Sequence, residues 1–215
     1  MDNGKWKLRD FLVRSVPGCA EWRAMAIVVV GGHSRKVGKT SVVCALIHGL
    51  SEYRWTAVKI SSHWHDAISE NTAPSFSLSE ETNRDGNVDS SRFLAAGALR
   101  SIWVRVGKEG LESAVRHLLP VVQSSPNVII ESNSILRFIT PDFYLIVLRY
   151  DIEDFKHSAR DTLAKADAAV LINAGSSPPL WKGVPHDALD RIPRFITDDP
   201  QRIPVELVDL VRSRL

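Results

Sequence analysis

The stretch Ile27-Val28-Val29-Val30-Gly31-Gly32-His33-Ser34-Arg35-Lys36-Val37-Gly38-Lys39-Thr40-Ser41 restricts the chain more than any other. Four β-branched residues in a row read as a strand buried on both faces, which is how strands of parallel sheets read. Glycines end the strand and a polar loop follows. Val42-Val43-Cys44-Ala45-Leu46-Ile47 then continues as a helix. A strand of this kind followed at once by a helix belongs to a sheet whose crossovers are helical.

The loop itself points to a ligand. A tight glycine-containing turn aims backbone N–H groups inward, and the next helix adds its free N-terminal N–H groups and the positive end of its dipole. A chain of phosphate oxygens satisfies both. In Gly38-Lys39-Thr40-Ser41 the lysine reaches the β- and γ-phosphates, and the threonine hydroxyl is an oxygen ligand suited to Mg²⁺. The usual spacing is G-x-x-x-x-G-K-[ST]. Here position 33, where the first glycine belongs, is His33, and Gly32 stands one residue earlier. The expected nucleotide-binding set is therefore Gly32, His33, Ser34, Arg35, Lys36, Val37, Gly38, Lys39, Thr40 and Ser41.

Length and composition narrow the setting. The 215 residues suffice for one α/β domain with a sizeable core, and 44% hydrophobic with 24% charged reads as soluble and globular. A formal charge of +2 gives no case for a nucleic-acid partner. Cys19 and Cys44 have no metal-ligand spacing and suggest no disulfide framework, which fits a reducing cytoplasm. No apolar run is long enough to span a membrane. Residues 1–24 carry Lys5, Lys7, Arg9 and Arg14 among apolar residues and are read as an extension outside the core. A single nucleotide-binding domain is expected over 25–215, and Met25 is a conceivable internal start.

Further strands are expected at Trp55 to Ile60, Ser101 to Val106, Asn127 to Glu131, Asp142 to Arg149, Ala168 to Asn173 and, shorter, Arg194 to Ile196. Helices are expected at Ser90 to Gly97, Leu111 to Leu119 (stopped by Pro120), Ile152 to Ala166 and Val205 to Leu215. Ser61 to Asp89 and Ala174 to Asp190 read as loops. Strands alternating with helices give a three-layer α/β/α fold of the P-loop NTPase kind, with a mostly parallel sheet of six or seven strands.

In such sheets ligands sit at the carboxyl ends of the strands. Lys59 ends the second strand and is expected to meet phosphate; Lys39 and Lys59 form the candidate catalytic pair. Glu131 follows the three apolar residues Val128-Ile129-Ile130 and suits a magnesium ligand or its water. Asp89 is either a helix cap or a metal contact. His63 and His65 with Asp66 make a weak zinc pattern against a surface-loop reading. Asn173 ends the sixth strand and can read a base through its amide, yet Asn173-Ala174-Gly175-Ser176 lacks the lysine and aspartate of Asn-Lys-x-Asp. The base is open on these residues.

Four segments together resemble the molybdopterin-guanine dinucleotide biosynthesis protein B family: Val30 to Thr40; Val58-Lys59 with His63 and His65; Asp89-Ser90 with Arg92 and Ala96-Gly97-Ala98; and Val128 to Glu131. The likeness covers about Met25 to Asn133. It implies a GTP-binding protein that assists nucleotide attachment to molybdenum cofactor, with a nucleotidyltransferase as partner and a homodimer as the expected assembly. The chain departs from the family in a longer loop between His65 and Asp89, in Ser132-Asn133 after Glu131, and in the extra phosphate-loop residue. That extra residue is similar to dethiobiotin synthetase and the cobyrinic acid amidases, and implies Thr40, Asp89 and Glu131 as the metal set. The rival expectation is an ATP-dependent ligase or amidase that activates a carboxylate, with Lys59 and Ser132 to Ser134 as pocket candidates. A partitioning-ATPase switch fits less well, because position 34 is serine where that class has a second lysine. Any hydrolysis is expected to be slow, since no residue stands out for orienting water.

Overall fold

A computed structural model describes residues 26–61, 75–107, 109–175, 178–182, 184 and 189–215. Residues 1–24, Met25 and the His63, His65 and Asp66 cluster lie outside the described residues. The strands are β1 (Ala26–Gly32), β2 (Trp55–Ser61), β3 (Phe76–Glu81), β4 (Arg100–Val106), β5 (Asn127–Glu131), β6 (Phe143–Arg149), β7 (Ala168–Ile172) and β8 (Arg194–Thr197). Five described helices accompany them: α1 (Lys39–Gly49), α2 (Asp89–Ala95), α3 (Leu111–Gln123), α4 (His157–Leu163) and α5 (Val205–Arg212).

One sheet holds all eight strands in the order β3-β4-β2-β5-β1-β6-β7-β8. Every pairing is parallel except the edge pair β3–β4. β1 lies inside the sheet, and all seven of its residues are buried. Its alternate residues feed two cores. Ile27 and Val29 pack with the buried faces of α3 and α4, whereas Val28 and Val30 pack with α1, α2 and α5. The continuous β-branched run is thus a strand covered by helices on both sides.

The structure corrects several sequence boundaries. Among the described residues the sheet has eight strands rather than six or seven. The additional strand, β3, falls in the segment read as loop, and it pairs antiparallel from Phe76↔Val106 to Glu81↔Ser101. α3 runs through Pro120 to Gln123, held by Leu118 and Val122 buried on its inner face. The helix expected over 152–166 is cut to His157–Leu163. Its missing first turn is engaged elsewhere: the Lys156 N–H donates to His33 O at 2.8 Å, and Asp154 meets the phosphate loop.

Candidate functional site

The loop between β1 and α1 is bent at two left-handed residues, Lys36 (φ 57°) and Gly38 (φ 98°). At Gly38 the absence of a side chain is doubly required, since a Cβ there would stand 2.9 Å from Pro200 Cβ and 3.0 Å from Ile172 Cδ1. Gly38 caps α1, and its carbonyl accepts the Val42 N–H at 3.0 Å. Lys39 Nζ folds back over the loop and donates to Ser34 O at 2.6 Å. Burial lowers the Lys39 pKa to about 8; Glu131 opposes that shift and Lys59 adds to it.

His33 is fully buried and points away from the loop's concave side. Its Nε2 accepts the Arg149 N–H at 3.0 Å, and its Nδ1 donates to Asp154 O at 2.8 Å. These two partners, an N–H and a carbonyl, fix the neutral tautomer with its proton on Nδ1. Burial, the largest cause, holds the His33 pKa down at about 4. The ring rests against Phe155 and Trp181, at centroid distances of 5.1 and 6.2 Å. Ser34 Oγ donates to Asp154 at 2.5 Å. The first half of the loop is thereby bolted to the segment between β6 and α4. Val37 is also fully buried, in the core on the α1 side, while Arg35 and Lys36 are exposed at the rim.

The strand ends bring the second group together. Lys59 and Glu131 are register partners on the adjacent strands β2 and β5. Lys59 Nζ donates to Glu131 Oε1 at 2.8 Å, to Asp89 Oδ2 at 2.5 Å and to Thr40 Oγ1 at 3.3 Å. Thr40 Oγ1 in turn donates to Glu131 Oε2 at 2.8 Å. Glu131 is buried, and the Lys59 side chain is 16% exposed. Burial works against the charge of Lys59, but Glu131 and Asp89 outweigh it and hold its pKa above the ordinary lysine value. Burial likewise opposes ionisation of Asp89, and the bond and charge of Lys59 win, keeping its pKa below the usual aspartate value. Asp89 is the first residue of α2 rather than its cap, which is Val88. Arg92 on the same helix donates to Ser41 Oγ at 2.9 Å and ties α2 to α1.

A cavity of about 800 Å³ joins both groups, with Gly32, Lys39, Thr40, Ser41, Lys59, Asp89 and Glu131 in its wall. It extends past the strand ends to Ser132, Ser134, Arg149 and Lys156. Asn173 is not in that wall: it adopts φ 54°, and its amide donates to Asp151 at 3.0 Å. Asn133, expected only as part of the Ser132 to Ser134 pocket stretch, has a role in the loop that sequence did not show. Its Oδ1 accepts the Gly32 N–H at 2.8 Å and its Nδ2 donates to Gly32 O at 2.7 Å, clamping the start of the loop. The signal was its place two residues after Glu131, at a strand end beside β1.

Three hard oxygen donors, one hydroxyl and two carboxylates, converge here on a single cationic atom, and that donor set is the kind Mg²⁺ takes. Among the described residues no cluster of three or more His, Cys, Asp or Glu could hold a metal ion. A phosphate loop between a central parallel strand and a helix, on a sheet covered on both faces, is the architecture of P-loop nucleotide-binding proteins, and the chain has it. No protein-family model matches the chain, and no curated protein does. Solved structures are similar to the chain at low identity. HypB from Helicobacter pylori, solved in complex with nickel, is 14% identical over 88% of this chain and 86% of its own, with a TM-score of 0.48. FtsY, a signal recognition particle receptor from Elizabethkingia anophelis, is 15% identical over 94% of this chain and 69% of its own, at 0.46. LpxK from Aquifex aeolicus, solved with ATP, is 15% identical over 80% of this chain and 53% of its own, at 0.45. No described helix is long and apolar enough to cross a membrane.

Proposed function

We propose that the chain binds a magnesium nucleoside triphosphate, GTP in preference to ATP, and assists nucleotide attachment to molybdenum cofactor. The observation that carries the nucleotide reading is the closure of the Lys39 loop beside Thr40, Asp89 and Glu131 in one cavity. In this reading the loop N–H groups and Lys39 hold the β- and γ-phosphates. Thr40 and Glu131 would hold Mg²⁺, with Asp89 within reach, and the ion would neutralise charge on the phosphate oxygens. Lys59 faces the same cavity, and its charge suits the terminal phosphate. His33, with both ring nitrogens occupied, positions the loop and leaves the phosphate contacts to its neighbours. The preference for GTP and the link to molybdenum cofactor rest on the resemblance of the four sequence segments, as do the nucleotidyltransferase partner and the homodimer. Residues 25–215 are read as one nucleotide-binding domain and 1–24 as an extension.

One feature favours the second reading, a ligase in which ATP activates a carboxylate. The cavity continues beyond the strand ends to Ser132, Ser134, Arg149 and Lys156, where an anionic substrate would find donors. Calorimetric titration of GTP and ATP with Mg²⁺ separates the two readings. Wild type is expected to bind GTP, and Lys39→Ala to lose affinity by at least tenfold. Equal affinity in both proteins overturns nucleotide binding through this loop, and binding of ATP alone selects the ligase.

A further inference from the structure

We propose that Lys59 is the resident cation of the metal site: its ammonium gathers Thr40, Asp89 and Glu131 in the unloaded protein, and a divalent ion arriving with nucleotide displaces it. This inference rests on the magnesium-nucleotide reading of the cavity.

The first support is geometric. The three oxygens that Lys59 Nζ meets at 2.5, 2.8 and 3.3 Å come from three different elements, α2, β5 and α1. They belong to the residues that the resemblance to dethiobiotin synthetase implies as the metal set. An ammonium has three N–H donors, and all three are spent here. An ammonium and a divalent cation cannot share one cage of donors, since both the space and the like charge forbid it.

The second support is electrostatic. Glu131 is buried and Asp89 is about half exposed, and both face the same point. Two carboxylates facing one point repel each other without a cation between them. Lys59 removes that conflict in the unloaded protein by bonding to both.

The third support concerns which partner moves. Glu131 is fixed by the ladders of β5 with β1 and β2. Thr40 lies in the first turn of α1. Lys59 ends a four-carbon flexible stem and borders an open cavity together with Ile60 and Ser61. The ammonium thus has an open path out of the cluster, and the phosphates held by Lys39 offer it a new anionic partner. Metal and nucleotide therefore favour each other's binding: the ion releases Lys59, and the phosphates receive it.

The test measures metal on the protein without nucleotide. Mn²⁺ binding, followed by electron paramagnetic resonance, is expected to tighten at least tenfold in Lys59→Met relative to wild type. Adding Glu131→Gln to that variant is expected to reverse the gain. An unchanged or weaker Mn²⁺ affinity in Lys59→Met overturns the proposal, and so does a gain that survives Glu131→Gln. Should Lys59→Met fail to fold, the wild-type protein decides the question. The Lys59 Nζ resonance in ¹⁵N NMR is expected to shift as Mg²⁺ is titrated in, and a resonance that stays in place at saturating Mg²⁺ overturns it. Calorimetry keeps the two readings apart. A gain in Mn²⁺ affinity without nucleotide binding sinks the nucleotide reading alone, and nucleotide binding without that gain sinks only the role of Lys59.

Discussion

His33 occupies the position where the phosphate-loop pattern calls for glycine, and its environment explains how a ring is tolerated there. The imidazole leaves the concave side, enters the core and bonds with both nitrogens to the chain between β6 and α4. Its proton affinity is the measurable consequence. Burial depresses the folded-state pKa from 6.5 to about 4, so the unfolded chain takes up a proton at a higher pH than the folded one. The stability this histidine contributes is full above pH 6.5 and is lost as pH falls from 6.5 toward 4. The size of that loss is about 3 kcal/mol from the shift between those two values. Urea denaturation at pH 7 and pH 4 should show wild type losing more stability than His33→Asn, which takes up no proton. Equal losses would mean that the ring is not held neutral. The same residue marks what sequence could show. That the loop, Lys39, Thr40, Glu131 and Lys59 meet in one cavity was legible, because strand ends in a parallel sheet share one rim. That His33 turns inward was not, because its partners Arg149 and Asp154 lie more than a hundred residues away.

At the level of elements, the junction of β1 with α1 is the most constrained. Gly38 must hold φ 98° while Pro200 and Ile172 press against it. Gly38→Ala would place an L-residue in the left-handed region, at about 1–2 kcal/mol for the backbone alone, and would add the collision with Pro200. The expected outcome is a lower urea midpoint and nucleotide affinity reduced at least tenfold, read by denaturation and calorimetry. A variant with unchanged stability would contradict the geometry of this turn. Elements were legible where one physical signal dominated. β1 and the middle of β5, Val128-Ile129-Ile130, are apolar because helices cover both faces, and the sequence shows that directly. β3 was missed although Phe76-Ser77-Leu78-Ser79 alternates with period two, because polar residues surround it and an edge strand needs only one buried face. α4 was drawn too long because its apolar spacing continues upstream into residues that the phosphate loop has already engaged.

The whole molecule converges on one rim. β1 supplies the loop, β2 the ammonium, β5 the buried carboxylate, α2 the second carboxylate, and the β6–α4 connection the brace beneath His33. These elements come from both sides of β1 in the sheet, and the two cores they bury meet only through the strands. A ligand that bonds to all of them at once stabilises the entire fold rather than a local flap. Binding to the native state alone adds about 2.7 kcal/mol at a ligand concentration one hundred times Kd. For a domain of this size each kcal/mol raises Tm by about 2–4 °C, so GTP with Mg²⁺ at that excess should raise it by about 5–10 °C. The melt should remain a single transition when followed both by far-UV circular dichroism and by tryptophan fluorescence, since Trp181 packs on His33 beside the loop while Trp55 lies in the opposite core. Lys39→Ala should abolish the rise, and chelating the metal should remove most of it. A shift confined to the fluorescence signal would mean that the ligand orders only the neighbourhood of the loop. The parallel sheet would then fail to carry the binding energy from one core to the other.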